Sequence, residues 1–292
     1  MNLVQLKYFH AVCTYRSVSG AAEFLYISQP TLSNAIKELE NEFGVALFMR
    51  HHRGMMLTEE GEMLYKMSKE LLSRAEQIEN VMEDMGNKRK KLRLGVPPMI
   101  GSLVLPHIYR KFSGKFLDVT LEITEGGREE ILQKLKDDYL DMVFVPHNAP
   151  FESNLAAQKI ASLEVVCCAK KNSGKLNEKS VSALKLKNIP LVLFKDSFFQ
   201  TEEIKKWFAR SNVSPCVLLK TGQLSTVLSL ISKDIAVGFL FRNLIENNDD
   251  LKAISLQEKM FADVSLVWKK DSYVFESMKI FSDFFKNENP FV

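Results

Sequence analysis

Cysteine is scarce in this chain: Cys13, Cys167, Cys168 and Cys216 are four thiols among 292 residues. So few, at such spacings, exclude the disulfide framework that holds small secreted domains together. The adjacent pair in LEVVCCA would point to opposite faces of a strand, so buried structural thiols are the expectation. The five histidines (His10, His51, His52, His107 and His147) are scattered, no Cys/His set has zinc spacing, and neither a metal nor a cofactor is expected. No apolar run approaches the ~20 residues of a bilayer span. The start, MNLVQLKYFHAVCTYR, lacks a basic segment followed by an apolar one, so the protein is expected to stay in the compartment where it is made, with no membrane role. An excess of one charge is missing too: the net charge is +3, and residues 1–91 hold twelve Lys/Arg and twelve Asp/Glu. Affinity for a polyanion must therefore come from local clustering. Gly-x-Gly-x-x-Gly, Walker and Gly-x-Ser-x-Gly motifs are also lacking, so no catalytic residue is assigned.

What the chain does have is concentrated first in residues 17–53. Ala21, Ala22, Phe24 and Leu25 make a short helix, Tyr26, Ile27 and Ser28 a tight connection, and a second helix opens at Gln29-Pro30-Thr31. Paired alanines let two helices cross closely, while Ile27, Leu32, Ile36 and Leu39 recur at core spacing. Ser28 suits an N-cap, and Pro30 falls in the first turn, where a missing N–H costs little. The other face carries Gln29, Thr31, Ser33, Asn34 and Lys37, side chains suited to base edges and phosphates. Gly44 can close the helix with a left-handed cap. Residues 46–49 and 55–57 then flank the polar turn Arg50-His51-His52-Arg53-Gly54 as two short strands. A bare helix hairpin would suit any helical protein; the added wing makes this a winged helix-turn-helix. Ser28, Gln29, Pro30, Thr31, Ser33, Asn34 and Lys37 are thereby assigned to DNA, with Arg50 and Arg53 reaching the phosphate backbone or a minor groove.

Residues 58–85 lack proline and place Leu64, Met67, Leu71, Ala75, Ile78, Met82 and Met85 at steps of three and four, a coiled-coil seam. At 1.5 Å per residue this is a rod of about 42 Å. Its apolar stripe needs cover. A second copy is preferred to the chain's own C-terminal domain, because it sets two winged heads side by side over a two-fold DNA site. Lys88, Arg89, Lys90 and Lys91 suit the C-terminal end of the rod and read as a solvated hinge.

Beyond Lys91 the rhythm becomes strand–helix alternation. Strands are expected at 92–96, 119–124 and 140–145 with helices at 101–112 and 127–136. A second set follows, with strands at 164–169, 191–194, 217–220 and 235–239 and helices at 201–210 and 222–232. A tail adds a strand at 265–268 and a helix at 273–286. Such alternation implies parallel strands with right-handed crossovers, hence an α/β fold. Open α/β sheets bind ligands beyond the carboxyl ends of their strands, in the loops 97–102, 125–128, 146–148, 195–200 and 221–223. Ser102, Thr221 and Gln223 are the polar candidates there, Met99 and Phe199 the walls, and Glu125 and His147 complete the set. Blander roles are open: helix capping for Ser102 and Thr221, a satisfied loop histidine for His147, surface charge for Glu125 and Arg128.

The segments MNLVQLKYFHAV, AAEFLYISQPTLSNAIKELE, FGVALFMR and LTEEGEMLY, in this order and at this spacing, resemble the N-terminus of the LysR-type transcriptional regulators. LRLGVPPMIGSLVLPHIYRKF and YLDMVFV follow the looser pattern of the same family. The resemblance implies a winged helix-turn-helix at 1–57 and a linker and dimerisation helix at 58–87. It further implies a two-lobed, periplasmic-binding-protein-like effector domain, with lobe I at 88–161 and 267–292, lobe II at 162–266, and the chain crossing between lobes twice. The partners it implies are double-stranded promoter DNA, a second copy (tetramers being typical), a small-molecule effector and RNA polymerase, in a bacterial cytoplasm. Family effectors commonly contact hydroxyl residues after the first strand of the domain. Pro97, Pro98 and Met99 precede Ser102 in this chain, which points to a less polar effector. Peroxide sensors of the family use a cysteine pair, and no recognisable version of it is present. An α/β enzyme has no motif in support, and a solute-binding or scaffold protein leaves the first 57 residues unexplained.

Overall fold

Helix α1 (Leu3–Tyr15) is started by Asn2, whose side chain accepts from the Gln5 amide while the Gln5 side chain accepts from the Asn2 amide. This reciprocal cap satisfies two donors that a helix start leaves orphaned. Ser17 caps α2 (Val18–Phe24) through the Gly20 amide. Ser28 caps α3 (Gln29–Phe43) through the Thr31 amide, with Pro30 in the first turn, and Gly44 closes the helix at φ 70°. Phe9, Val12, Ala21, Ala22, Leu32, Ile36, Leu39 and Leu47 fill the space between the three helices. Strands β1 (Phe48–His51) and β2 (Gly54–Leu57) pair antiparallel as the wing. Helix α4 (Glu59–Met85) leaves directly from it. A β-carbon at Gly61, in the first turn of α4, would collide with the Leu47 carbonyl, so only glycine lets the helix start this close to the strand. His10 of α1 fastens the junction: its Nε2 lies 2.8 Å from Ser68 Oγ, and its ring stacks on Tyr65 at 4.4 Å.

This computed structural model describes all residues except 52–53, 87–89, 247, 289 and 292 and the side chains of Arg50, His51 and Asn287. The chain divides into two compact units, Met1–Glu83 and Asp84–Val292. No helix among the described residues is long and apolar enough to cross a membrane.

The second unit begins with β3 (Lys91–Val96), α5 (Pro98–His107), a π-helical turn (Ile108–Phe112) and the short α6 (Ser113–Lys115). It continues through β4 (Thr120–Glu125), α7 (Arg128–Lys136) and β5 (Met142–His147). The helix expected at 101–112 therefore opens three residues earlier, because extended Pro97 can cap it and Pro98 is pre-set for a first turn. Pro106, which brings no N–H, lies just before the helix widens. Next come β6 (Leu155–Lys170), β7 (Ser180–Val181), β8 (Leu191–Phe194), α8 (Phe199–Arg210), β9 (Val217–Thr221), α9 (Leu224–Ser232) and β10 (Val237–Phe241). A 3-10 turn (Arg242–Leu244), β11 (Leu251–Leu256), β12 (Met260–Lys269) and α10 (Glu276–Asn287) complete the unit.

One sheet runs β4-β3-β5-β12-β6-β10-β8-β9, with β11 on β6 and β7 on β11. Strands β4, β3 and β5 are parallel, as are β10, β8 and β9. The two parallel sets are joined by the long antiparallel pair β6 and β12, whose register shifts between Val264 and Ser265. Each half has an aromatic core: Phe112, Phe144, Phe281, Phe284 and Phe285 under β5, and Trp207, Phe208 and Phe239 under β10. Cys167 and Cys168 point to opposite faces of β6, yet both are buried, because β6 is covered on both faces. Burial pushes the Cys168 thiol up to about 12 and the Cys167 thiol higher still, so both stay protonated and unreactive.

Candidate nucleic-acid interface and ligand cleft

Helix α3 sorts its side chains as the spacing predicts. Leu32, Ala35, Ile36 and Leu39 are buried, Ser33 is half-buried, and Ser28, Gln29, Pro30, Thr31, Asn34 and Lys37 are exposed. Ser28 and Thr31 spend their hydroxyls on each other at 2.7 Å, and Gln29 accepts from Ser19 at 3.2 Å. Asn34 and Lys37 stand clear on the outer face. One residue that sequence reasoning missed lies beside them: Tyr26, left-handed at φ 54° and 96% exposed, at the entrance to α3. Its one signal in the sequence was its place in the tight connection Tyr26-Ile27-Ser28. Of the wing residues, Arg50 lies on β1 with its side chain outside the described residues, and Arg53 lies wholly outside them.

The seam of α4 is displaced by one residue at its start. Leu64 packs into the head core, while Met63, Met67, Leu71, Ile78, Met82 and Met85 are each 45–66% exposed. Beside the start of this stripe, Met1, Phe43, Val45, Met63, Met67 and Leu71 wall an apolar groove of about 820 Å³.

The second unit brings the tips of its two parallel strand sets together. A β-carbon at Gly127, before α7, would lie 2.8 Å from Ser197 Oγ in the loop before α8. Asn148 Nδ2, just after β5, donates to Glu203 Oε2 of α8 at 2.6 Å, and Glu203 Oε1 accepts from Lys206 at 2.8 Å. The Arg128 guanidinium lies 5.8 Å from the centroid of the Phe199 ring. Phe199 and Met99 are buried.

The polar candidates behave differently. Ser102 is not a helix cap: it lies inside α5, and its Oγ donates to the Pro98 carbonyl at 3.0 Å, because the helix opens before it. Thr221 ends β9, where its Oγ1 accepts from the Gln223 amide, and Gln223 precedes α9 with its Oε1 accepting from Thr226. Glu125 is exposed at the end of β4. His147 has both ring nitrogens engaged: Nδ1 is 3.0 Å from the Ala149 carbonyl and Nε2 2.8 Å from Ser265 Oγ. A carbonyl only accepts, so Nδ1 carries the hydrogen and Nε2 accepts from Ser265. Burial, aided by Arg128 and Lys159, lowers the His147 pKa, against the opposing pull of the Ala149 carbonyl and Asp263. Sequence reasoning left surface charge open as a role for Arg128 and did not pair Asn148 with Glu203, because both readings need the two strand sets to close on each other.

Comparison with known proteins bears on both units. Residues 3–62 match the bacterial regulatory helix-turn-helix protein, lysR family, and residues 86–290 match the LysR substrate binding domain. An uncharacterized HTH-type transcriptional regulator of Bacillus subtilis (strain 168), YwbI, is 28% identical over 280 residues, 94% of this chain and 92% of that protein. Full-length CbnR complexed with its target DNA shares the fold at TM-score 0.70 and 20% identity, over 98% of each chain. The Synechocystis CcmR regulatory domain in complex with 2-PG does so at TM-score 0.61 and 15% identity, over 68% of this chain and 96% of that one. With its head matching the one family description and its α/β unit the other, the chain belongs to the LysR family of transcriptional regulators, as a DNA-binding protein with an effector-binding domain rather than an enzyme.

Proposed function

We propose that α3 enters the DNA major groove through Gln29, Pro30, Thr31, Ser33, Asn34 and Lys37, with Ser28 and Tyr26 at the phosphates and Arg50 and Arg53 of the wing beside them. The observation that carries this reading is the division of α3 into a buried apolar side and an exposed polar side with Asn34 and Lys37 uncommitted. An amide such as Asn34 suits the N6/N7 edge of adenine, and Lys37 suits a phosphate. Two heads are needed for a two-fold site. The methionine-rich stripe of α4 and the adjoining groove favour a second copy as their cover, since so much contiguous apolar surface is rare on a free monomer. Tetramers, RNA polymerase as a further partner, and a cytoplasmic setting extend this reading from the family.

The functional division proposed is 1–57 for DNA, 58–87 for dimerisation, 88–161 with 267–292 for lobe I and 162–266 for lobe II. An effector would lie between the lobes, near Met99, Phe199, Glu125, His147, Thr221 and Gln223, with Ser102 turned to its own helix. Occupancy would change how β6 and β12 hold the lobes, and through them how the heads meet DNA. The test is gel retardation with DNA flanking the chain's own coding region. Parent protein binds with a steep salt dependence, and Lys37→Ala lowers the log–log salt slope by about one. Retardation that is insensitive to salt, or unchanged in both Asn34→Ala and Lys37→Ala, would remove the assignment.

A further inference from the structure

We infer that Arg128 is the anchor for the carboxylate of a small, singly charged effector. This deepens the reading of the interlobe cleft as the effector site and rests on it. Arg128 opens α7 with its guanidinium carbon 5.8 Å from the Phe199 ring centroid, so its plane is held by an aromatic wall from the opposite strand set. Its Nε is buried and has no hydrogen-bond partner. A buried guanidinium N–H without an acceptor is unusual enough to need an explanation, and the Nε–H with its neighbouring Nη–H forms the fork that fits two carboxylate oxygens. The other polar groups of the cleft are already occupied: Ser102 by Pro98, Thr221 and Gln223 by their own turn, His147 by Ala149 and Ser265, and Asn148 by Glu203. Among these groups, Arg128 is the one whose unpartnered donor is buried.

The charge of the ligand follows from the surroundings. Glu129 and Glu130 share the first turn of α7 with Arg128, and Glu202 of α8 feels its charge. A doubly charged phosphate would meet these acids, whereas one negative charge balances one guanidinium. The first-turn amides of α7, with no side-chain cap from Gly127, add a weak preference for the same sign. Size follows from Gly127, whose approach to Ser197 leaves no room for a β-carbon and keeps the cleft narrow beside the arginine. The Phe199 ring against Arg128 then provides an apolar wall for the body of the acid.

The test uses the full chain in thermal shift and titration calorimetry, with acetate, propionate and benzoate, their amides, and inorganic phosphate at matched ionic strength. The expected result is saturable stabilisation by at least one acid and none by its amide or by phosphate. Arg128→Gln loses at least about tenfold in affinity for that acid, and Arg128→Lys, which keeps the charge but not the fork, falls between. Both variants retard DNA like the parent when no acid is added. The inference is overturned if no acid stabilises the parent, if the amide or phosphate binds as well, or if Arg128→Gln binds like the parent. Its failure can be told from failure of the cleft reading. An Arg128-dependent acid that leaves DNA retardation unchanged sinks the cleft's regulatory role and keeps the anchor. An amide that alters retardation equally in parent and Arg128→Gln sinks the anchor and keeps the cleft.

Discussion

The outer face of α3 and the interlobe cleft hold similar polar side chains and use them in opposite ways. On α3, Asn34 and Lys37 project outward from a helix pinned by Leu32, Ile36 and Leu39, and their hydrogen-bonding capacity is left for something outside the chain. In the cleft, serine, threonine, glutamine, histidine and asparagine each bond a neighbour within the chain, and one buried arginine nitrogen has no partner. A surface that reads many base edges needs several uncommitted groups, each worth ~1–3 kcal/mol of discrimination. A cleft that must close on one small molecule needs few, and a single well-placed charge can orient it.

The comparison breaks most visibly when the support of α3 is removed. Leu32 is fully buried in the head core, so Leu32→Ala is expected to destabilise the head by ~2–5 kcal/mol, read by thermal unfolding, and to abolish DNA retardation with it. Asn34→Ala takes the opposite path. It leaves the melting temperature where it is and weakens binding to the preferred sequence by ~1–3 kcal/mol, with little change on unrelated DNA. A loss of stability comparable to that of Leu32→Ala would mean that Asn34 is structural.

Acid separates the regions more gently. The folded chain holds His147 below its ordinary value of 6.5, so the unfolded imidazole binds a proton more readily than the folded one. The stability this contributes is complete above about pH 6.5 and is lost as pH falls through the folded value. Thermal melts should show the second unit weakening as pH falls below about 6.5, and His147→Gln should flatten that slope. His10, lowered by burial and then by Lys69, makes the head respond in the same direction, so the parent's slope for the head should survive in His147→Gln. The smallest effect is expected at Ser102. Its hydroxyl is exposed and bonds within its own helix, so Ser102→Ala should change stability by no more than ~0.5 kcal/mol and leave the response to acids intact. A variant that lost that response would put Ser102 beside Arg128 as a ligand contact.

Legibility in the sequence followed the range of the interactions. The caps and core of α3 were readable to the residue, because capping by Ser28 and Gly44 and the burial of Leu32, Ile36 and Leu39 are decided within a turn or two of helix. The parallel strands at β3, β8 and β10 were readable from short apolar runs, although β10 runs two residues later than expected. Harder were β6 and β12. Only 164–169 and 265–268 looked like strands, whereas the pair extends over Leu155–Lys170 and Met260–Lys269, because its partly exposed halves alternate weakly and are stabilised by each other. β11 was missed for a related reason: Leu251–Leu256 is a short segment whose partner on β6 lies some eighty residues away. The roles of Ser102, Asn148 and Arg128 depended on contacts across the cleft or on a helix start moved by Pro97 and Pro98, and neither is a matter of spacing.

The central claim is that α3 enters the major groove, and methylation interference tests it most directly. Dimethyl sulfate places a methyl group on guanine N7, on the major-groove edge, so DNA modified inside the bound site should be depleted from the retarded complex. The account predicts that depletion at two positions related by a two-fold axis, about one helical turn or a multiple of it apart. Retarded complexes in which no N7 methylation interferes, while groups of the minor groove do, would contradict it.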